Sequence, residues 1–151
     1  MRKLLLAFLL IAISTPVIAQ QAMTRVTPDA LVWRQDPAFP RGVLIATVLG
    51  DPKQTGEVVV LRIKFPPQFK MPPHTHRYSE VVTVISGAIG SSHGTIFKKR
   101  GGLLKPGSLW VYPARHPHYA WTENREAILQ VQFIGPGGIE YIDPRDDPRR
   151  K

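Results

Sequence analysis

Pro72-Pro73-His74-Thr75-His76-Arg77-Tyr78-Ser79-Glu80, running on through residues 81–86 to Gly87, reads H-x-H-x3-E-x6-G and decides the fold. Imidazole nitrogens and a carboxylate oxygen together suit a borderline divalent metal. Side chains of an extended chain alternate between faces, so His74 and His76 face one way and Glu80 keeps their parity. One run of chain thus aims N, N and O at a common point. A second stretch, residues 107–118, reads G-x5-P-x4-H through Gly107, Pro113 and His118. The fourth donor has to come from a neighbouring strand, and His118 is placed to supply it. His74, His76, Glu80 and His118 are therefore the expected ligands of one divalent ion. A plain ion pair between Glu80 and Arg77 is the alternative, but it explains neither the register of Glu80 nor the strand that follows.

Two further histidines weigh less. His116 stands two residues before His118 beside Pro117, and His93 falls in the Gly90-Ser91-Ser92-His93-Gly94 turn region. Both read as solvated or structural groups rather than ligands.

Outward from the motifs, the chain is a series of short β-type runs. Residues 42–49 are β-branched and end at Gly50-Asp51-Pro52. Residues 57–65 alternate Val59, Leu61, Ile63 and Phe65 against Val58, Val60, Arg62 and Lys64, the pattern of a strand with one apolar face. Arg62 and Lys64 are assigned to solvent, with an anion anchor inside a barrel as the other reading. Pro66-Pro67 and Pro72-Pro73 bracket a loop that delivers His74 rigidly, because proline fixes φ and lacks a donor. Residues 81–85, 108–112, 118–122, 127–134 and 139–142 read as further strands, and residues 95–100 as a short helical turn. Short strands at even spacing, broken by Gly/Pro turns, predict an all-β sandwich or barrel of the jelly-roll kind.

The two metal motifs resemble the paired motifs of the cupin superfamily over roughly residues 42–141. The resemblance implies a double-stranded β-helix barrel in which His74, His76, Glu80 and His118 hold one metal. One departure is plain: the second motif usually carries glycine two residues after its proline, and Arg115 stands there. Residues 50–52, 65–67, 72–74, 119–122 and 135–139 are also similar to a group of small single-domain cupins. In similar dioxygenases the equivalent of Glu80 both ligates and acts as a base. Cupin-like barrels often pair, which implies a homodimer.

The ends suggest a route. Arg2-Lys3, an apolar run over residues 4–13 and the small residues up to Ala19 have the grammar of a secretory signal peptide cleaved after Ala19. The apolar run is short for a membrane crossing and is followed by Pro16, which argues against an uncleaved anchor. The expected layout is a signal peptide over residues 1–19, an N-terminal arm over 20–40 anchored by Trp33 and Phe39, a cupin domain over 41–142, and a charged, frayed tail over 143–151. No transmembrane segment is expected after cleavage, and the periplasm or the extracellular medium is the expected location. Cysteine is missing, so disulfide and thiolate chemistry are excluded. The net charge of +9 is read as a soluble cationic surface and not as a nucleic-acid site, since no basic stripe is interleaved with aromatics.

Four protein ligands in a six-coordinate frame leave about two positions for water or substrate. Zn, Mn, Fe, Ni and Cu all fit the donor set. The expected function is that of an exported metalloenzyme acting on a small oxygen-bearing molecule, as a dioxygenase, isomerase or lyase, with Glu80 as the catalytic base. The alternative is a non-catalytic, metal-dependent small-ligand-binding protein of the envelope. A closed tetrahedral site would instead make the metal a structural staple. Gln130 and Gln132, polar guests on an apolar strand, are either an outward face or donors to the metal-bound ligand. Tyr119 and Trp121, opposite in parity to His118, are expected to pack, and Met71 and Phe69 to narrow the entrance.

Overall fold

The computed structural model describes residues 23–150; the expected signal peptide, residues 1–19, lies outside them. The described chain forms ten strands: β1 (Arg34–Gln35), β2 (Leu44–Leu49), β3 (Val58–Phe65), β4 (Lys70–Thr75), β5 (Glu80–Ser86), β6 (Gly90–His93), β7 (Leu109–Tyr112), β8 (His118–Trp121), β9 (Ala127–Ile134) and β10 (Glu140–Tyr141). They build two antiparallel sheets, one ordered β1-β2-β3-β9-β5-β7 and the other β10-β4-β8-β6. Consecutive strands alternate between sheets from β3 to β6, which is how a jelly roll encloses a core between two layers. The fold is the all-β, double-stranded β-helix that the motifs imply.

Alternation explains the core. The inward residues Val59, Leu61, Ile63 and Phe65 of β3 are buried, as are Val82 and Val84 of β5 and Leu129 and Val131 of β9. Each of these side chains contributes about 1.5–3 kcal/mol when fully withdrawn from water. Arg62 and Lys64 take the opposite parity on β3 and lie outside, where the Lys64 ammonium stands 4.6 Å over the Trp33 ring. The N-terminal arm therefore packs on the outer face of the larger sheet and adds β1 to its edge. Phe39 reaches further and packs against the core.

Four local expectations change. The loop expected between Pro66-Pro67 and Pro72-Pro73 ends sooner, since β4 begins at Lys70 and takes in Pro72 and Pro73. The β4–β8 register runs from Met71 opposite Ala120 to His74 opposite His118, three residues against two. Pro72 and Pro73 occupy that β-bulge, where two missing N–H donors cost the ladder least. The extra residue reverses parity, so Met71 and His74 both face inward although three apart. Residues 90–93 form the edge strand β6 and not a turn. Residues 95–100 adopt no helix; Phe97 instead packs on Tyr119 and Trp121, closing the outer face of the smaller sheet. The charged tail is tied down through residue 150 by two 3-10 turns, Pro144–Asp146 and Pro148–Arg150, with Arg149 donating to Asp147 at 2.8 Å and to the carbonyl of Ile139 at 3.1 Å.

Gly87 closes the first motif at φ +73°, and a β-carbon there would collide with the Glu126 carbonyl. Only glycine fits that turn.

Candidate metal centre

The three histidines form one group able to share an ion, and Glu80, from the facing sheet, approaches that group beside His76 without meeting all three imidazole nitrogens within 4.8 Å. His74 near the end of β4 and His118 at the start of β8 are direct cross-strand partners. His76 follows on the turn after β4, and Glu80 opens β5 in the facing sheet. Ring centroids are separated by 4.3 Å for His74–His118, 5.0 Å for His74–His76 and 5.2 Å for His76–His118. One nitrogen from each imidazole lies within 4.8 Å of the others, a group able to hold a metal ion.

Backbone carbonyls orient all three rings. His74 Nδ1 is 2.7 Å from the Pro72 oxygen, His76 Nδ1 is 2.6 Å from the Gly138 oxygen, and His118 Nδ1 is 2.8 Å from the His116 oxygen. A carbonyl can only accept, so each Nδ1 carries the proton and each Nε2 keeps its lone pair. Outer hydrogen bonds of this kind fix ring orientation and raise ligand basicity. Burial holds His76 below the ordinary imidazole value and lowers His74 further, with the neighbouring rings adding to the latter shift; it lowers His118 to about 3. The rings are thus neutral donors at physiological pH.

Glu80 Oε2 lies 3.4 Å from His76 Nε2. Two acceptors facing each other across that gap require a proton or a cation between them. Burial supplies the proton when no metal is bound, pushing the Glu80 carboxyl up to about 8. Arg77 does not answer Glu80; its guanidinium points outward, 3.9 Å from the exposed Glu140. Three neutral imidazoles and one buried carboxyl make a donor set that suits a divalent ion.

Arg115 keeps the left-handed backbone of the glycine it replaces, at φ +60°, and its N–H donates to the His76 carbonyl at 2.7 Å. The second motif therefore retains its turn and ties it to the first. His116 and His93 stack on each other, centroids 5.7 Å apart, outside the three-ring group.

A cavity of about 310 Å³ opens beside these donors, walled by Leu61, Phe65, Met71, Leu129 and Phe133 among others. Leu129, Val131 and Phe133 take the inward parity of β9, so Gln130 and Gln132 face outward, away from the cavity, where they stand opposite Arg62 and Val60. Tyr119 and Trp121 are buried on the outer face of their sheet, as packing residues. Met71 lines the cavity and Phe69 does not.

Sequence reasoning passed over Tyr112, Trp110 and Ser91. The Tyr112 ring lies on His118, centroids 3.7 Å apart and planes 13° apart, and its hydroxyl is hydrogen-bonded to Ser91 Oγ. The parity of Trp110 and Tyr112 on β7 is legible, but their placement needs the pairing of β7 with β5, which sets Tyr112 opposite Glu80 and Trp110 opposite Val82.

A two-sheet barrel that gathers three oriented imidazoles and a buried carboxylate at one cavity defines a small double-stranded β-helix protein with a metal-type donor set. Residues 41–135 match the Cupin family, and the chain belongs to it. It is 26% identical over 92 residues to an H2HPP isomerase of Bacillus subtilis, covering 60% of this chain and 38% of that one. It is 29% identical over 97 residues to germin-like protein subfamily 1 member 7 of Arabidopsis thaliana, covering 57% and 41%. The chain thus spans about two-fifths of the length of these curated relatives. The polyketide cyclase RemF from Streptomyces resistomycificus superposes with a TM-score of 0.68 at 18% identity, over 85% of this chain and 92% of that one. KdgF from Halomonas superposes with a TM-score of 0.57 at 21% identity, over 72% and 91%. The shared feature with both solved structures is the fold.

Proposed function

We propose that this cupin is an exported metalloenzyme in which His74, His76, Glu80 and His118 hold one divalent ion, with a small oxygen-bearing molecule as substrate. The reading rests on one observation: all three imidazoles are locked by backbone carbonyls so that their free Nε2 atoms converge beside a buried carboxylate at an apolar cavity. A divalent ion at this point, with zinc, manganese, iron, nickel or copper all fitting the donors, supplies Lewis acidity toward a substrate oxygen.

The residues themselves do the rest. The apolar walls exclude water from the reacting group, which strengthens every charge interaction there. Glu80, a buried carboxyl beside His76, becomes a general base next to the substrate when it is released from the ion. It can take a proton from a carbon beside a carbonyl and return it, the elementary step of isomerases, cyclases and lyases. Two neighbours named above, an isomerase and a cyclase, support that class. The apolar run and small residues up to Ala19 support export to the periplasm or beyond.

The test is elemental analysis of the protein purified from its native envelope, followed by turnover screening with each reconstituted metal. About one metal per chain and metal-dependent consumption of an enolisable substrate are expected. Glu80→Gln should abolish turnover while retaining much of the metal. Stoichiometric metal without turnover on any oxygenated substrate favours a ligand-binding role over catalysis. A mature form beginning at Gln20 is expected, and a full-length envelope form contradicts cleavage.

A further inference from the structure

The segment between β6 and β7 takes no part in the site described above. Its residues 95–100 stand between Gly94 at φ +122° and Gly101 at φ +81°. Phe97 fastens the middle of this loop, its ring 5.1 Å from Tyr119 and 6.1 Å from Trp121 on the outer face of the smaller sheet. The Tyr119 hydroxyl adds a hydrogen bond to the Lys98 carbonyl at 2.8 Å. With Phe97 turned inward, its neighbour Ile96 is left 80% exposed, and Leu103 at the end of the loop is exposed as well. Single exposed aliphatics are ordinary on a protein surface. Ile96 differs in the company it keeps.

Cations surround it. Lys98, Lys99 and Arg100 follow in sequence and are all exposed, and Lys70 of β4 holds its ammonium 4.4 Å over the Phe97 ring. Lys99 is answered by Glu123 at 2.8 Å. Among the described residues, Lys70, Lys98 and Arg100 form no ion pair. The turn that carries Glu123 also exposes Arg125 and Glu126, one of each sign, and so leaves the balance positive. The net charge of +9 over the chain adds long-range attraction to any anionic surface. Register places the loop. Lys70 lies opposite Trp121 at one end of the β4–β8 ladder and His74 opposite His118 at the other, so the basic loop and the metal donors occupy opposite ends.

We propose that this loop is a docking face for an anionic lipid bilayer, with Ile96 inserted beneath the headgroups and Lys70, Lys98 and Arg100 lying among their phosphates. Charge complementarity selects the surface, since each basic side chain close to an anionic leaflet contributes about fivefold in affinity. Ile96 selects a bilayer over an acidic polypeptide. A polypeptide of that kind offers charge but no apolar depth to a projecting side chain, whereas acyl chains begin about 5–10 Å below the headgroup surface. A few cations and one aliphatic make a reversible, salt-sensitive attachment, because exposed charges are screened. Docking by this end keeps the histidine end of the barrel toward water. The assignment stands apart from the metal-centre reading and does not rest on it.

The test uses the whole chain with vesicles of mixed phosphatidylglycerol and phosphatidylcholine, against vesicles of phosphatidylcholine alone. The sequence has no cysteine, so Ile96→Cys and Val111→Cys each take a single environment-sensitive dye. Val111 is the control, being exposed on the outer face of the larger sheet. The dye at 96 should shift to the blue on anionic vesicles and stay put on neutral ones, and the dye at 111 should not move on either. Co-sedimentation should weaken about twentyfold when Lys98→Gln and Arg100→Gln are combined, and about tenfold in Ile96→Ser. Each variant should melt where the wild type does. Raising salt from about 0.1 M to about 1 M should release the wild type. Sedimentation with an unmoved dye at 96 would place the attachment elsewhere in the chain and overturn the proposal. Equal binding to neutral vesicles, no binding to either kind, an equal shift at 111, or full binding by Ile96→Ser would overturn it too. A firmer hold on polyglutamate than on the anionic vesicles would assign the loop to an acidic protein instead, and would equally sink the bilayer.

Discussion

The Tyr112 ring covers the His118 imidazole at a centroid distance of 3.7 Å, while the hydroxyl at its far end is held by Ser91. His118 is thereby restrained twice, by the stack on its face and by the His116 carbonyl at its Nδ1. Groups that orient a metal ligand from outside typically contribute 10–100-fold in affinity. Tyr112→Ala should therefore weaken zinc binding by about tenfold or more, whereas Tyr112→Phe, which keeps the stack, should stay within about twofold. Competition with a coloured chelator measures both. Equal affinity of wild type and Tyr112→Ala would show that the backbone carbonyl alone orients the ring.

Removal of a ring tests the ligand set directly. His76→Ala and His118→Ala each delete one Nε2 from a group whose members all stand within 4.8 Å. Metal content after dialysis should fall well below one equivalent in each, measured by plasma emission. His116→Ala should keep its metal, because its ring lies outside the group and only its backbone carbonyl is used. Unchanged content in His76→Ala would remove His76 from the site.

Much of this is legible in the sequence, because spacing and parity are local properties. The H-x-H-x3-E motif marks its candidate donors by residue type and spacing. His76 lies on the turn after β4 and Glu80 opens β5 of the other sheet, so parity along one strand is not what gathers them. The apolar alternation of β3 names the inward face. What alternation could not give was the bulge at Pro72-Pro73, which restores the inward aim of His74 relative to Met71 only once β4 is paired with β8. Nor could it show that Glu80 belongs to the opposite sheet from the histidines. Gln130 and Gln132 remained two-sided in sequence because β9 is apolar at both parities near its start; the pairing with β3 sets them outside. Tyr112 and Trp110 were silent for the same reason, since their roles exist only across the β5–β7 ladder.

The pH profile of the metal-free protein follows from opposed shifts. His118, lowered to about 3 from an ordinary 6.5, gains protons on unfolding below pH 6.5, as do His74 and His76, so stability falls as pH drops through that range. Glu80, raised to about 8 from 4.5, holds a proton when folded that the unfolded chain has lost, so stability falls as pH rises from 4.5 toward 8. Three groups outweigh one on the acid side, and Glu80 acts alone above 6.5. The melting temperature without metal should peak near pH 6.5 and decline toward 8. Glu80→Gln should flatten the alkaline limb, and zinc should flatten it too by replacing the proton. Near pH 7 zinc loading should release about one proton, seen as a dependence of calorimetric heat on buffer ionisation enthalpy. An alkaline limb that persists in Glu80→Gln would assign the decline to another group.

Gly90 carries the last prediction, which concerns stability and not chemistry. It begins β6 opposite Trp121, and a β-carbon there would fall inside the indole ring, closer than any real contact. Trp121 is only 2% exposed and is packed against Phe97, so the ring has nowhere to move. Overpacking of this kind costs about 1–3 kcal/mol, and in a domain of this size that lowers the melting temperature by roughly 3–10 °C. Gly90→Ala should melt lower by about that much while binding zinc as tightly as the wild type, because the strain falls on the outer face of the sheet and the histidines on the inner. A Gly90→Ala protein as stable as the wild type would mean that the segment carrying Phe97 yields readily, and that the outer cover of this sheet is looser than its packing implies.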